Sequence, residues 1–519
     1  MNSNSRTSKS LKNSAVAMGF YVVNLGLQFF SRKIFLDCLG TEILGLNTTA
    51  MNLLQFLNLA ELGISAGVSF TLYKPLYEND QKSINEIITL QGQLYKRIAY
   101  LIIVGAAILM CFFPMIFKKI QLPLWYAYAS FSVLLFSALL GYFFNYKQII
   151  LSASQQDYKI LYSFKSVMLI KILVQMAAVY YLSNGYVYWL ILEGGFAIIG
   201  TISLHWMTQR TFPNLRSAKI PFKNLRDRYS DLTLKIKQLF FHKIGGFALT
   251  QSSPFIIYAY TSLTLVALYG NYLVVMNGIQ ALFSSLFNSI GAGIGNLVAE
   301  NDKKKELRIF FELFSVRFFI VISLCMCSYL IIPDFISVWI GKQYILPTST
   351  LILLLIILYI NLFRNAVDSF LFAHGLYGDI WAPIIEATIN IGSSILFGYF
   401  FGLNGVLLGV ISSLFIVIVL WKPYYLFRNE YPSKIKLYCW IYFKHILSAI
   451  ITIVLVLIIW PHIKIEKFGE LISLLFNTLI SIMLTATLLL TLLIIFKSDI
   501  IYFINRFYKT SNVQSKGND

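Results

Sequence analysis

Long runs of apolar residues, each about 20 residues in length, follow one another along nearly the whole chain. An apolar helix of about that length crosses the hydrocarbon core of a bilayer. Hydrophobic residues make up 58% of the 519 positions and charged residues only 13%, and the charges collect in short gaps between the runs. The sequence therefore predicts an all-α polytopic membrane protein with about 14 transmembrane helices.

The formal net charge is +19, and its distribution indicates topology rather than nucleic-acid binding. If the N-terminus is placed in the cytoplasm, most of the 42 Lys and Arg residues fall on the cytoplasmic side. This asymmetry follows the positive-inside rule, so we expect both termini to be cytoplasmic. We expect membrane lipids, and no nucleic acid, to contact the basic segments. The first span lacks a small-residue cleavage site, so we expect no removable signal peptide.

Features of the predicted second span recur in the eighth. The tripeptide Glu-Asn-Asp occupies residues 78–80 and again residues 300–302, each time after a Gly-rich stretch, LGISAGVSF or SIGAGIGNL. A Met-Asn pair precedes each copy, and a short amphipathic basic segment follows it. Six spans separate the copies. The pattern predicts two six-helix lobes, related by an axis along the membrane normal, with a cleft between them.

This duplication divides the chain into five segments. We expect a cytoplasmic tail at 1–13, an N-lobe of helices 1–6 at 14–208, a cytoplasmic basic linker at 209–238, a C-lobe of helices 7–12 at 239–427, and helices 13–14 with a cytoplasmic C-terminal tail at 428–519. No segment between spans exceeds about 30 residues, and no nucleotide-binding loop or metal-ligand spacing occurs in the sequence. We therefore expect a transporter without a catalytic site, a metal or a cofactor.

Polar residues form stripes along the first and second helices of each predicted lobe when they are placed at about 100° per residue. Lipid cannot satisfy such a stripe, so each must face a neighbouring helix or a water-filled cavity. A seam between two helices is the simpler alternative. Equivalent positions in both repeats favour a shared cavity. The polar and charged residues expected to line it are Asn24, Gln28, Arg32, Asn58, Glu61, His242, Asn277 and Asn288.

Charged residues within the spans cost about 2.5–3.5 kcal/mol each on insertion scales and therefore need a physical reason. Lys171, Arg317 and Arg364 are cations of this kind, and each is a candidate either for binding an anionic substrate or for pairing with an acid. Asp368 follows Arg364 by one helical turn. Glu61 lies at a depth similar to that of Lys171, so it either pairs with this lysine or exchanges a proton or sodium ion.

Three stretches of the sequence are similar to those of a known transporter family. They are LNLAELGISAGVSFTLYKPLYEND, SIGAGIGNLVAENDKKKELRIFFELF and FGLNGVLLGVISSL. These stretches resemble the bacterial polysaccharide repeat-unit flippases, the O-antigen and capsule translocases of the multidrug/oligosaccharidyl-lipid/polysaccharide exporter superfamily. The resemblance covers nearly the whole chain.

The resemblance implies a two-lobed, V-shaped transporter in the bacterial cytoplasmic membrane. It would move undecaprenyl-pyrophosphate-linked oligosaccharides from the inner to the outer leaflet by alternating access, for surface polysaccharide biosynthesis. A polysaccharide polymerase and glycosyltransferases are the expected partners, and coupling to a proton, to sodium or to the membrane potential is left open. The resemblance also implies a cationic cavity. Arg32 is the best candidate for binding an anionic ligand there, because no acidic residue lies on the same face of its helix. Anchoring of Arg32 at the headgroups by snorkelling is the alternative.

Two other functions are consistent with parts of the sequence. A cation-coupled drug exporter would share the fold, although by resemblance the lipid-moving branches often carry fourteen helices. A membrane oligosaccharide polymerase or ligase would need a large external catalytic loop. The longest external segment predicted here is 333–346, so we expect no enzyme.

Overall fold

The computed structural model describes residues 3–58, 64–118, 120–233, 236, 253–287, 294–295, 297–298, 300–376, 378–379, 381–466 and 469–502. Within these ranges, ten helices are long and apolar enough to cross a membrane. The prediction of an all-α polytopic membrane protein is therefore confirmed. The chain divides into two compact units, Met1–Gly270 and Asn271–Asp519, which we call the first and second units. The five predicted domain boundaries remain predictions.

The first unit begins with α1 (Ser3–Leu57), which Gly40 interrupts with a φ of 81° and a ψ of 173°. Glycine adopts positive φ at little steric cost, and this residue lies between the first and second predicted helices of the N-lobe. The next helices are α2 (Ile64–Glu78), α3 (Gln81–Cys111), α4 (Phe113–Ile116), α5 (Trp125–Phe143), α6 (Ile149–Ala153), α7 (Asp157–Ile160), α8 (Ser166–Tyr181), α9 (Gly185–Thr211), α10 (Phe222–Arg228) and α11 (Ser253–Tyr260). α12 (Leu263–Phe287) begins in the first unit and ends in the second.

The second unit continues with α13 (Lys303–Trp339), α14 (Thr348–Phe363), α15 (Asn365–Ala373), α16 (Trp381–Leu414), α17 (Lys422–Glu430), α18 (Ile435–Ile463) and α19 (Glu470–Ile495). Gly402 interrupts α16 with a φ of 56°, and a π-helical segment, Phe415–Trp421, joins α16 to α17. The apolar segment Trp381–Glu430 therefore covers the region of the last two predicted helices of the C-lobe, helices 11 and 12.

The repeated Glu-Asn-Asp tripeptide has the same conformation in both units. Asn79 and Asn301 adopt φ angles of 54° and 56°, in the left-handed region that asparagine enters more readily than most residues. Asp80 and Asp302 then accept hydrogen bonds of 3.1 Å from backbone N–H groups two or three residues further on. The aspartates are the N-caps of α3 and α13. In each unit the tripeptide therefore starts a helix, α3 or α13, and in the first unit it also ends α2.

An aromatic core holds the second unit together. Phe310, Phe314 and Phe318 lie on α13, are at most 1% exposed, and pack with buried residues of α14, α15 and α17. Tyr438 on α18 and Leu489 on α19 belong to the same cluster. The two helices outside the predicted duplication are therefore part of the core of this unit.

The start of the basic linker is held against α3 in the first unit. The backbone N–H of Ala218 donates to Thr89 Oγ1 at 2.8 Å, and the Arg97 guanidinium lies 3.5 Å from the ring centroid of Phe222. Leu225, on α10, is fully buried. This part of the linker is therefore a packed element of the first unit.

Candidate functional site

Arg32 lies half-buried on α1, and its Nη2 donates to the backbone carbonyl of Ala267 on α12 at 3.1 Å. Gly270 leaves room for this guanidinium, because a Cβ added there would lie 2.7 Å from Arg32 Nη2. The next residue, Lys33, is exposed. The sequence identified this cation, and the structure adds its contact with the start of α12 within the first unit.

The other predicted cavity residues on α1, and Asn58 directly after it, have different surroundings. Asn24 is half-buried and Gln28 is exposed. Asn58 Oδ1 accepts a hydrogen bond from the Tyr142 hydroxyl on α5 at 3.1 Å. At Asn58 the stripe of the second span therefore meets a neighbouring helix, as the seam alternative expects.

On α12, Asn277 is exposed. An exposed polar side chain on a membrane-crossing helix needs water or a polar partner, since lipid supplies neither. The predicted cavity residues Glu61, His242 and Asn288 lie outside the described residues.

Lys171 on α8 forms an ion pair within the first unit. Its Nζ lies 2.7 Å and 2.8 Å from the two carboxylate oxygens of Glu193 on α9. Gln175 donates a further hydrogen bond of 3.0 Å to Glu193, which is buried. This lysine thus has an acidic partner that the sequence did not identify, because the sequence does not reveal which helices are neighbours.

Arg364 and Asp368 form the pair that their spacing of one helical turn predicts. The distance from Arg364 Nε to Asp368 Oδ2 is 3.0 Å, and Lys422 Nζ lies 2.6 Å from Asp368 Oδ1. Glu386, on α16, is buried, and its Oε1 makes no hydrogen bond to the described residues. These two cations and two acids form one group of interior charges in the second unit.

Arg317 adds a further cation to the interior of the second unit. It is buried on α13, with its guanidinium carbon 5.7 Å from the ring centroid of Phe283. It also lines a small cavity together with Asn365 and Ser369. These five charged residues are the cations Arg317, Arg364 and Lys422 and the acids Asp368 and Glu386. When all five are ionised, their net charge is +1.

Two buried glutamates near the starts of α3 and α13 were not predicted. Glu86 accepts hydrogen bonds of 2.7 Å and 2.8 Å from Arg228 Nη1 and one of 3.0 Å from the Tyr229 hydroxyl. The hydrogen bonds to Glu86 raise the pKa of Arg228. Glu306, in the second unit, likewise accepts a hydrogen bond from a tyrosine hydroxyl, that of Tyr431. The sequence signal available for both was that each is the first acid after the repeated tripeptide.

The described residues contain no group of three or more His, Cys, Asp or Glu side chains placed to hold a metal ion. No protein-family model matches the chain, and no curated protein matches it.

Among solved structures, the chain is similar to the lipid II flippase MurJ in an inward closed conformation. The TM-score is 0.64 at 15% identity, over 95% of this chain and 100% of that one. It is also similar to inward-facing and outward-facing conformations of a multidrug resistance MATE family transporter of the MOP superfamily. Those TM-scores are 0.56 and 0.51, at 13% and 14% identity, over 82% of this chain and 99% and 96% of those chains. These likenesses show the fold.

Proposed function

We propose that this protein is a flippase that moves a lipid-linked oligosaccharide from the inner to the outer leaflet of a bacterial cytoplasmic membrane. The observation that carries the proposal is the extent of the fold match. The likeness to the lipid II flippase covers 95% of this chain, whereas the likeness to the multidrug transporters covers 82%. The uncovered share in the second case is about as long as segment 428–519, which contains α18 and α19. This difference favours a lipid-moving transporter over a drug exporter.

The proposed substrate is an oligosaccharide repeat unit on undecaprenyl pyrophosphate, for O-antigen or capsule synthesis. The support is the resemblance of the Gly-rich stretches and the segments after them to polysaccharide repeat-unit flippases. A polymerase and glycosyltransferases would act before and after the transport step. The positive-inside distribution of Lys and Arg supports cytoplasmic positions for both termini.

The proposed mechanism uses cations within the membrane to hold the pyrophosphate. A guanidinium can bind such a group through two parallel hydrogen bonds, which favours Arg32 as a ligand. The surplus positive charge around Arg317 and Arg364 would attract the same anion in the second unit. Exposed polar side chains such as Gln28 and Asn277 would form hydrogen bonds with the sugar hydroxyls in place of water. An inside-negative potential favours outward movement of uncompensated negative charge by about 2.3 kcal/mol per charge per 100 mV.

Complementation tests this function. The chain is expressed in a strain that lacks its own repeat-unit flippase, and surface polysaccharide is measured at matched protein levels. Restored polysaccharide supports the proposal. Raised drug resistance without polysaccharide would instead assign the protein to the drug-exporter alternative, and longer polysaccharide chains in a strain lacking its polymerase would favour the enzyme alternative.

A further inference from the structure

The start of the basic linker runs along α3 without helical structure, and a regular series of hydrogen bonds holds it there. Polar side chains at every fourth residue of α3 bond the backbone of every second residue of the linker. The pairs are Gln81 with Asn214, Asn85 with Arg216, Thr89 with Ala218, and Gln93 with Ile220, at 2.8–3.3 Å. Four residues of α-helix rise about 6 Å, and two residues of extended chain span about 6.6 Å, so the two series keep the same spacing.

The series continues into α10 and ends at a buried carboxylate. The Arg97 guanidinium lies 3.5 Å from the ring centroid of Phe222, which is the next step of both series. Arg228, at the end of α10, then donates to the two carboxylate oxygens of Glu86 on α3 at 2.7 Å and 2.8 Å. Residues 214–228, which we call the strap, are therefore attached to α3 from one end to the other.

Two apolar residues beyond the strap cover a glycine on α2. A Cβ added at Gly67 would lie 2.9 Å from Ile236 Cγ1 and 3.4 Å from Leu232 Cδ1, so only a residue without a side chain leaves room for this approach. Leu232 is 1% exposed. Gly67 precedes Glu78, the last residue of α2, by about 16 Å of helix. Leu232 and Ile236, which we call the latch, therefore cover an interior part of α2.

The helix α2 is held between α3 and the latch. Ser65 Oγ lies 2.7 Å from the Tyr95 hydroxyl on α3. Gly67 follows two residues later, about 200° around the helix, so it lies on the opposite face and meets the latch there. Ile236 also stands just before the predicted C-lobe, 239–427. The latch therefore contacts the N-lobe with the chain that leads into the C-lobe.

We propose that the strap is a fixed anchor and that the latch is a movable contact, which leaves Gly67 when the cytoplasmic side of the transporter opens for its substrate. The chain from Arg228 to Leu232 spans at most about 14 Å when fully extended, so the strap limits how far the latch moves from α2. The release step rests on the proposed function, whereas the attachment of the strap and the latch does not.

Cysteine reactivity tests the attachment without any substrate. In a variant whose five native cysteines are replaced by alanine, a cysteine is placed at Leu232 or at its exposed neighbour Asp231. In the purified full-length protein, Leu232→Cys should react with a maleimide about tenfold or more slowly than Asp231→Cys, because the latch must open locally before the thiol is reached. Glu86→Ala should raise the rate at Leu232→Cys several-fold, since it frees the end of the strap next to the latch, and Asp227→Ala should not. Equal rates at the two cysteines, or an unchanged rate in Glu86→Ala, would overturn the proposal.

Disulfide crosslinking of the purified protein tests the release. Cβ atoms about 3.5–4.5 Å apart can be bridged, and the approach of Ile236 to Gly67 brings cysteines at these two positions within that range. In reconstituted vesicles, the disulfide between Gly67→Cys and Ile236→Cys should slow transbilayer movement of undecaprenyl-pyrophosphate oligosaccharide about tenfold or more, and a reductant should restore it. A disulfide between Thr89→Cys and Ala218→Cys is the matched control, because it fixes the strap and should leave the rate unchanged.

The two crosslinks give opposite results only if the strap is fixed and the latch moves. A wild-type rate with the latch disulfide formed, or a lost rate with the strap disulfide formed, would overturn the proposal. If the wild-type protein moves no substrate, the proposed function fails, and the reactivity of Leu232→Cys then decides the proposal for the strap and the latch alone.

Discussion

The hydrogen bond from Arg32 to the Ala267 carbonyl is distinct from the role of Arg32 in the proposed mechanism, and three substitutions separate the two. Arg32→Gln keeps an amide donor for the Ala267 carbonyl but removes the charge. A hydrogen bond to a charged group contributes about 1.5–3 kcal/mol, so Arg32→Ala and Arg32→Gln should both reduce polysaccharide export about tenfold or more. Arg32→Lys should be partly active, because an ammonium keeps the charge and loses the planar fork.

The measurement is surface polysaccharide in the complemented strain, at equal protein level. Lys33→Ala, a change at the neighbouring exposed cation, is the control and should behave as wild type. Gly270→Ala should also impair export, since its methyl group would displace the guanidinium that lies beside it. Full export by Arg32→Gln would show that the charge of Arg32 is not needed for transport.

The pair between Lys171 and Glu193 gives a prediction about stability. Lys171→Met leaves a buried, uncompensated carboxylate and should destabilise the protein by about 3–5 kcal/mol. Adding Glu193→Gln removes that charge and should recover most of the loss. Thermal unfolding of the single and double variants measures both effects. A double variant no more stable than Lys171→Met would contradict the pairing of Lys171 with Glu193 and would favour Glu61 as the partner instead. Exchange of a proton or sodium ion by Glu61 remains a prediction.

The interior charges show which parts of the site can be predicted from sequence. The pair of Arg364 and Asp368 was predictable because spacing along one helix fixes which side chains meet. The partner of Lys171 was not, since pairing between helices depends on their neighbours, rotation and depth. The contact of Arg32 with Ala267 joins parts of the chain that are distant in sequence, and no local pattern indicates it.

At the scale of the helix, the buried glutamates that follow the repeated tripeptide, Glu86 and Glu306, hold later segments of the chain by hydrogen bonds. Glu86 holds the linker through Arg228 and Tyr229, so Glu86→Ala should release it. Limited trypsin digestion of the purified protein should then cleave several-fold faster between residues 216 and 228. Asp227→Ala is the control, because Asp227 is exposed and accepts its hydrogen bonds from the adjacent Arg226. Equal cleavage rates in Glu86→Ala and wild type would show that the linker is held by other contacts.

Helix boundaries were predictable where glycine or the tripeptide fixes the backbone, as at Gly40, Gly402 and Asn79. The long helix α13 departs from expectation, since it runs through Pro333 to Trp339 and so includes half of the predicted external segment 333–346. Neighbouring residues can satisfy the carbonyl that a proline leaves without its helical partner, and the helix then continues.

For the whole molecule, the hydropathy pattern and the positive-inside rule together give a testable topology. A cysteine at Lys223, in the linker, should react with a membrane-impermeant reagent only after the cells are permeabilised. A cysteine at Lys342, between α13 and α14, should react in intact cells. Both lysines are exposed, so failure to label in both conditions is not expected. Labelling of Lys223→Cys from outside would invert the proposed orientation.

The membrane class, the all-helical fold and the repeat of the second span were predictable because they depend on composition and on backbone geometry. The packing of α18 and α19 into the aromatic core of the second unit was not, since the duplication does not include these helices. The substrate is not determined by the fold, because structures of transporters named for lipid II and for drugs have similar folds.

Transbilayer movement of the proposed substrate tests the central claim most directly. Purified protein is reconstituted into vesicles that hold undecaprenyl-pyrophosphate oligosaccharide in both leaflets, and an added glycosidase measures the fraction of substrate that is accessible from outside. Vesicles without protein should expose about half of the substrate. Vesicles with wild-type protein should approach full exposure, and those with Arg32→Ala should do so about tenfold more slowly. Exposure that stays at the protein-free level with well-folded wild-type protein would contradict the assignment as a lipid-linked oligosaccharide flippase.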